Sequence, residues 1–500
     1  MKKRIISLTI VISLLISVIG GRIGYIIFSG SYTVSEGYNS YALTIDSFAP
    51  TLYYRNADKI TNNSNYYVAI IRPNAKCLGE LSKLFDNSEC QDIIEELKQG
   101  YPVIKIIDSK KRNRVKYIDI YKATSSENIC SQLIDTKSSG LLKYVDSTAG
   151  IRKISFSIDA KGRLLSGDTG TITDYNYETK EGLKLSLDKE IQQVTYDACK
   201  NMQSGCALVM NVEDSSILAC VSKPDDSYIN KAFQQYSVGS VFKIVVSACA
   251  LENDIDLKYN CTGSITVGDT TFSCQNNHIH GVQTVKTALA NSCNCYFVNL
   301  ALTLGRERIL KTADKLGFND FTSIYNGWLI QNALLPEEKD LYSKGQLALL
   351  GFGQGKLTAA PLQIGSVLCT VANKGKKNTP KLVLSTVNSN GLSSAINYSN
   401  SEQVLDKDKC DTLIKYLRYV VSSGTGRQAD TNKKQSAGKT ATAQTGQYLN
   451  GKELLNTWFA GVYPYSSPKY AIVVMTEDGN SGAEDCCPIF STIVENLEKL

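Results

Sequence analysis

QSAGKTATAQTGQ, residues 435–447, has the period-two texture of a β-strand, and two further runs follow it closely, TWFAGVY at 457–463 and YAIVVMT at 470–476. PIFSTIVENLEKL at 488–500 then carries apolar residues at the i, i+3, i+4 spacing of an amphipathic helix. This end of the chain therefore predicts successive antiparallel strands closed by a helix. Working back, residues 183–202 read as strand then helix, and residues 206–222 as two strands joined by a turn at Glu213, Asp214 and Ser215. Helical stretches are expected from there through Ile309, and a long helix-rich middle to about Leu417. An antiparallel sheet fed by strands from both ends of a segment, with helices inserted between them, is an α+β arrangement.

Upstream the texture differs. Between Ser31 and about Asn176, short β-type runs at 66–71, 103–107 and 115–121 alternate with polar turns, and one amphipathic helix is expected at 90–99. The segment contains no catalytic constellation and reads as a spacer or docking domain. Ahead of it stand Met1, Lys2, Lys3 and Arg4, then residues 5–21 without a charge, Arg22, and a second apolar patch at 23–28. That pattern predicts a membrane segment with a basic cytoplasmic flank, Arg22 snorkelling to the outer interface. No Ala-x-Ala cleavage pattern follows, and the first cysteine is Cys77, too distant for a lipoprotein. The expected organisation is thus a cytoplasmic stub and anchor at 1–30, a β-rich domain at 31–177 and a main domain at 178–500, with everything beyond residue 30 or so outside the cytoplasm.

The composition narrows the chemistry. With 500 residues, 43% hydrophobic and 20% charged, the chain is globular, and a net charge of +6 spread along it leaves no nucleic-acid footprint. Its only histidines are His278 and His280, so a histidine-based triad is disfavoured and the general base is expected to be a lysine or carboxylate. The 15 cysteines are an odd count that intramolecular disulfides cannot fully pair.

Three short elements carry chemistry. In YSVGSVFK (236–243), Ser240 and Lys243 precede the apolar helical run 244–251, which sets a hydroxyl at a helix N-terminus beside an amine able to take its proton. Ser292-Cys293-Asn294 falls between two expected helices, where it is useful only as an interhelical loop, because i and i+2 point apart on a helix. Lys439 and Thr440 lie on the first late strand and could bind a carboxylate. Each element is weak alone.

In this order the three resemble the Ser-x-x-Lys, Ser-x-Asn and Lys-Thr-Gly motifs of penicillin-binding proteins and serine β-lactamases. The flanks narrow the likeness: Asn230-Lys231-Ala232, His280-Gly281 before NSCNCYF (291–297), GFGQGKLTAAPLQ (351–363), SGTGRQA (423–429) and GKTATAQ (438–444) followed by NTWFAGVYP (456–464) are similar to the monofunctional, class B transpeptidases over about residues 180–500. The resemblance implies a transpeptidase domain behind a pedestal domain and a membrane anchor, with Tyr54-Arg55-Asn56-Ala57-Asp58 a faint echo of the pedestal signature. It also implies peptidoglycan stem peptides as substrate. Ser240 would attack the penultimate carbonyl of D-Ala-D-Ala and form an acyl-enzyme, which an amine of a neighbouring stem, or water as a carboxypeptidase side activity, then takes over. Lys243 would be the base, Ser292 a relay to the leaving amine, Asn294 a holder of the substrate amide, and Lys439 and Thr440 the carboxylate site. The N–H groups of Ser240 and Thr442 would form the oxyanion hole. No cofactor is required, β-lactams would acylate the same serine, and a separate glycosyltransferase would have to polymerise the glycan. The family expects glycine where Ala441 stands, which implies a pocket tuned against some β-lactams. The alternatives are a β-lactamase, with which the pedestal and the Gly-Gln-Gly context disagree, and a non-catalytic β-lactam sensor or scaffold, for which four residues ahead of the anchor leave no signalling domain.

Cys261, Cys274, His278, His280, Cys293 and Cys295 fall in one short stretch. Their thiols and imidazoles are the ligand types of a tetrahedral zinc site, although the spacing matches no standard knuckle. The expected set is Cys261, Cys274, His280 and Cys293, with His278 or Cys295 as substitutes; a Cys261–Cys274 disulfide is the competing possibility. Cys199, Cys206, Cys220, Cys249 and Cys369 read as small buried hydrophobes.

Overall fold

The computed structural model describes residues 40–48, 51–60, 62–127, 150–159, 163–175, 182–225, 229–388, 391–398, 401–431 and 435–500, together with residues 13, 15–21, 133, 140, 141 and 227. Most of the expected membrane segment, residues 1–30, lies outside the described residues. Among the described residues no helix is long and apolar enough to cross a membrane.

The chain forms two compact units. The smaller takes in residues 1–48, 65–125 and 151–177, and the larger residues 49–64, 126–150 and 178–500. The smaller unit holds two three-stranded sheets, one ordered Val103–Ile107, Asn62–Ile71, Asp119–Glu127 and the other Ser40–Phe48, Gly150–Ser157, Thr171–Tyr175. Period-two alternation is visible in its central strand: Ala69 and Ile71 pack with Ile93 and Leu97 of the helix Asn87–Leu97, whereas Val68 and Ile70 pack with Ile45, Ile154 and Phe156. Asp86 and Glu89 form a capping box that starts that helix.

The larger unit is built on a five-stranded antiparallel sheet. Its strands are β1 (Gly205–Asn211), β2 (Ile217–Lys223), β3 (Ala437–Leu449), β4 (Lys452–Tyr463) and β5 (Tyr470–Glu477), in the spatial order β2-β1-β5-β4-β3. Both faces are covered, which explains why β1 and β5 read as unbroken apolar runs. Cys206, Leu208 and Met210 enter the main core, while Ala207 and Val209 enter a second core beneath α1 (Lys189–Ala198) and the C-terminal helix Cys487–Leu497. On the main-core face lie α2 (Lys243–Glu252), α3 (Val285–Ala290), α4 (Asn294–Leu304), α5 (Lys344–Gly351), α6 (Pro361–Ala372) and α7 (Lys407–Ser423). Helix α6 sits so close to β1 that a Cβ on Gly365 would come 2.6 Å from the sulfur of Met210. The α+β class and the late strands are as expected.

The middle departs from its helix-rich reading. Between α2 and α3 the chain makes four short strands: Tyr259–Cys261 pairs with Gly281–Gln283, and Ser264–Val267 with Thr270–Ser273 through a turn at Gly268, whose φ is 63°. Another hairpin joins Phe321–Tyr325 to Trp328–Gln331. These strands span three to five residues and bury only alternate side chains, too short a pattern for periodicity to distinguish from loop.

Candidate active site

The segment before α2 is shaped by backbone crowding. Gly239 has φ 53° and would, with a Cβ, meet the Cβ of Ala443 on β3 at 3.0 Å. Beneath it Gly353 has φ 84°, and a Cβ there would lie 1.9 Å from the carbonyl oxygen of Gly239. Three segments therefore close on one another at positions where a larger residue does not fit. The result sets Ser240, half-buried, on the 3-10 turn Gly239–Phe242 that leads into α2, beside the edge strand β3. Trp458 of β4 fixes the stretch leading into this turn by donating its indole N–H to the Ser237 carbonyl at 3.0 Å.

Lys243 is fully buried at the start of α2. Burial pushes its amine down from the ordinary lysine value of 10.5 to about 7, against a smaller opposing pull from the nearby thiols of Cys293, Cys274 and Cys295. Its nitrogen lies 2.8 Å from the Ser292 carbonyl, 2.7 Å from Asn294 Oδ1 and 3.3 Å from Ser292 Oγ. Ser292 Oγ in turn lies 2.9 Å from Ser240 Oγ. The polar chain therefore runs Ser240, Ser292, Lys243. At neutral pH a substantial fraction of the amine carries a free lone pair, and two carbonyl-type acceptors orient its hydrogens.

The interhelical position expected for Ser292 to Asn294 is met by Ser292 and Cys293, while Asn294 is already the first residue of the next helix. Helix α3 ends at Ala290 and α4 begins at Asn294, with Ser292 in the left-handed region at φ 52°. A non-glycine residue held there is strained, and such strain persists where surrounding contacts over-determine it. Asn294 is held at both ends of its amide, Oδ1 accepting from Lys243 and Nδ2 donating to the Ser273 carbonyl at 2.9 Å, which leaves one N–H and one oxygen lone pair for a substrate amide.

On β3, Lys439 is fully buried and donates to the Thr440 carbonyl at 2.8 Å. Burial, and then repulsion from Lys243, hold its amine well below the usual lysine range. Lys439 is thus close enough to Lys243 for the two amines to repel each other. Thr440 Oγ1 lies 2.7 Å from Thr425 Oγ1, and Thr442 Oγ1 accepts from Gly482 N–H at 3.4 Å. Ala441 is 3% exposed and belongs to the core cluster that contains Trp458, so its methyl group fills protein and not the cleft. Thr425 stood within SGTGRQA as a flanking likeness only, and no side-chain pattern marked it; Gly424 and Gly426 around it were the available signal.

The expected metal ligands converge from three segments. Cys261 ends one short strand, Cys274 and His280 flank the loop between two others, and Cys293 caps α4, its sulfur accepting from Tyr296 N–H at 3.4 Å. Their ligand atoms all lie within 4.8 Å of one another. Cys261 Sγ is 3.7 Å from Cys274 Sγ and 3.6 Å from His280 Nδ1, and Cys274 Sγ is 3.7 Å from Cys293 Sγ. Thiol hydrogen bonds from Cys293 and Cys295 hold Cys274 far below the usual thiol range, so the cluster readily carries a thiolate. Of the substitutes, Cys295 lies 3.5 Å from Cys274, and His278 packs edge-on against His280; neither joins the four-atom set. All fourteen described cysteines are free thiols, Cys261 and Cys274 among them.

Comparisons with known proteins agree with this geometry. The family described as penicillin binding protein transpeptidase domain matches residues 205–495. Stage V sporulation protein D of Bacillus subtilis is 27% identical over 390 residues, covering 72% of this chain and 59% of the relative. Penicillin-binding protein PbpB of Mycolicibacterium smegmatis is 27% identical over 413 residues, covering 73% of this chain and 62% of its own length. The chain thus spans about three fifths of these relatives. The crystal structure of penicillin binding protein 3 from Mycobacterium tuberculosis, complexed with aztreonam, superposes with a TM-score of 0.66 at 20% identity, over 92% of this chain and 97% of that one. At that identity the likeness establishes the fold.

Proposed function

Because the chain belongs to the penicillin-binding protein transpeptidase family, we propose that it is a class B peptidoglycan D,D-transpeptidase that forms an acyl-enzyme on Ser240 and is acylated there by β-lactams. The observation that carries this reading is the hydroxyl–hydroxyl–amine chain from Ser240 through Ser292 to Lys243. As Ser240 Oγ attacks the penultimate D-alanine carbonyl, its proton passes to Ser292 while the Ser292 proton passes to the neutral Lys243 amine. Collapse of the tetrahedral adduct returns a proton along the same path to the departing D-alanine amine. An acceptor amine then attacks the ester and gives up a proton by the reverse route. Edge strand β3, whose Ala443 lies against Gly239 of the Ser240 turn, would offer the Thr442 N–H as the second oxyanion donor. A stem pentapeptide ending in D-Ala-D-Ala, given with an acceptor amine, should yield a cross-linked product and at least as much free D-alanine, any excess coming from hydrolysis. Neither should form with Ser240→Ala, and product formation by that variant would refute the assignment.

The Cys261, Cys274, His280 and Cys293 cluster reads as a structural zinc site. Tetrahedral zinc with Zn–S near 2.3 Å spaces its sulfurs about 3.8 Å apart, and two of the three sulfur pairs here, Cys261–Cys274 and Cys274–Cys293, stand at 3.7 Å. Bound metal would tie Cys293, between Ser292 and Asn294, to the short strands over α4 and so brace the strained loop. Protein purified without chelator is expected to contain about one equivalent of zinc by elemental analysis; less than half an equivalent removes the site.

Residues 1–30 read as stub and anchor, 31–177 as pedestal and 178–500 as the catalytic domain outside the cytoplasm, with glycan polymerised by a separate glycosyltransferase. The basic flank and apolar run at the start support the anchor. Release of the full chain from membranes by salt wash, without detergent, would contradict it.

A further inference from the structure

Thr425 sits on the turn that follows α7, and this turn is wedged between the two walls of the site. Its backbone N–H donates to the Ala290 carbonyl at 3.1 Å, two residues before Ser292. The preceding Gly424 has no room for a side chain: a Cβ would lie 2.3 Å from that same Ala290 oxygen and 2.8 Å from the Val420 oxygen. From this fixed position the Thr425 hydroxyl reaches Thr440 on β3 at 2.7 Å. Thr425 is exposed and Thr440 is 7% exposed, so the pair stands at the boundary between core and cleft.

Two hydroxyls have two protons between them, and their mutual hydrogen bond uses one. The other is free for an acceptor in the cleft. The neighbouring Lys439 amine is buried and directs one hydrogen at the Thr440 carbonyl. An acceptor reaching this corner therefore meets a hydroxyl pair polarised in series, a stronger donor than one hydroxyl, and most so toward an anion.

We propose that Thr425 is a positioning residue of the carboxylate subsite: it donates to Thr440 Oγ1 and so turns the Thr440 proton toward the ligand carboxylate, while its backbone ties that subsite to the Ser292 loop. The proposal rests on the transpeptidase reading and names how that site selects an anionic terminus.

The test compares benzylpenicillin with its uncharged methyl ester as acylating agents of Ser240, in wild type, Thr425→Val and Thr425→Ser. The quantity read is the ratio of the two second-order acylation rates, which is unaffected by the fraction of protein correctly folded. Loss of a hydrogen bond that serves a charged group predicts a fall in the acid-to-ester ratio of about tenfold in Thr425→Val. Thr425→Ser, which keeps the hydroxyl, should restore the ratio. An unchanged ratio in Thr425→Val, whether the two rates fall together or not at all, overturns the proposal. Wild type that is acylated by neither compound overturns the transpeptidase reading beneath it, a result that cannot be confused with an unchanged ratio.

Discussion

Ser292 holds a left-handed backbone conformation, φ 52°, and from it brings its hydroxyl to 2.9 Å from that of Ser240. Lys243 approaches Ser292 Oγ at 3.3 Å while its nearest contacts are the Ser292 carbonyl and Asn294 Oδ1. The relay serine thus occupies the middle of the path and not a side branch.

Ser292→Ala should cut the rate of Ser240 acylation by about 100-fold or more, the usual scale of a lost proton-transfer group. Its thermal stability should change little, since a half-buried hydroxyl is removed. Stopped-flow acylation with a chromogenic cephalosporin measures the rate, and a loss under tenfold would return the base role to direct contact between Lys243 and Ser240.

The pH dependence follows from Lys243. Its amine must be neutral to accept a proton, and burial lowers it to about 7. Acylation should therefore be weak well below pH 7, climb through a midpoint near 7, and level off above it. A profile flat from about pH 5.5 to 9 would argue that this lysine is not the base.

Gly353→Ala places a methyl group 1.9 Å from the Gly239 carbonyl at a φ of 84°. Overpacking and left-handed strain together should destabilise the larger unit by about 3 kcal/mol or more. Urea unfolding measures the loss, and a change under about 1 kcal/mol would show that the Gly239 turn yields easily.

Much of this was legible in the chain. The late strands, the helix closing them, the interhelical placing of Ser292 and Cys293 and the four members of the thiol–imidazole cluster all follow from periodicity, motif order and ligand chemistry. What escaped has physical causes. The short strands over 259–283 offer too few alternations to be distinguished from loop, yet they carry Cys261 and flank Cys274 and His280. Thr425 is separated from Thr440 by fifteen residues, and only the folded turn pairs them. The engaged amide of Asn294 and the buried amine of Lys439 depend on side-chain direction, which strand and helix patterns do not encode beyond which face is which.

The most direct test is intact-protein mass spectrometry after incubation with benzylpenicillin, comparing wild type with Ser240→Ala. One covalent penicilloyl adduct on wild type, mapped to the peptide holding Ser240, and none on the variant is the expected result. An adduct on both proteins, or on neither, would contradict the assignment of Ser240 as the acylated serine.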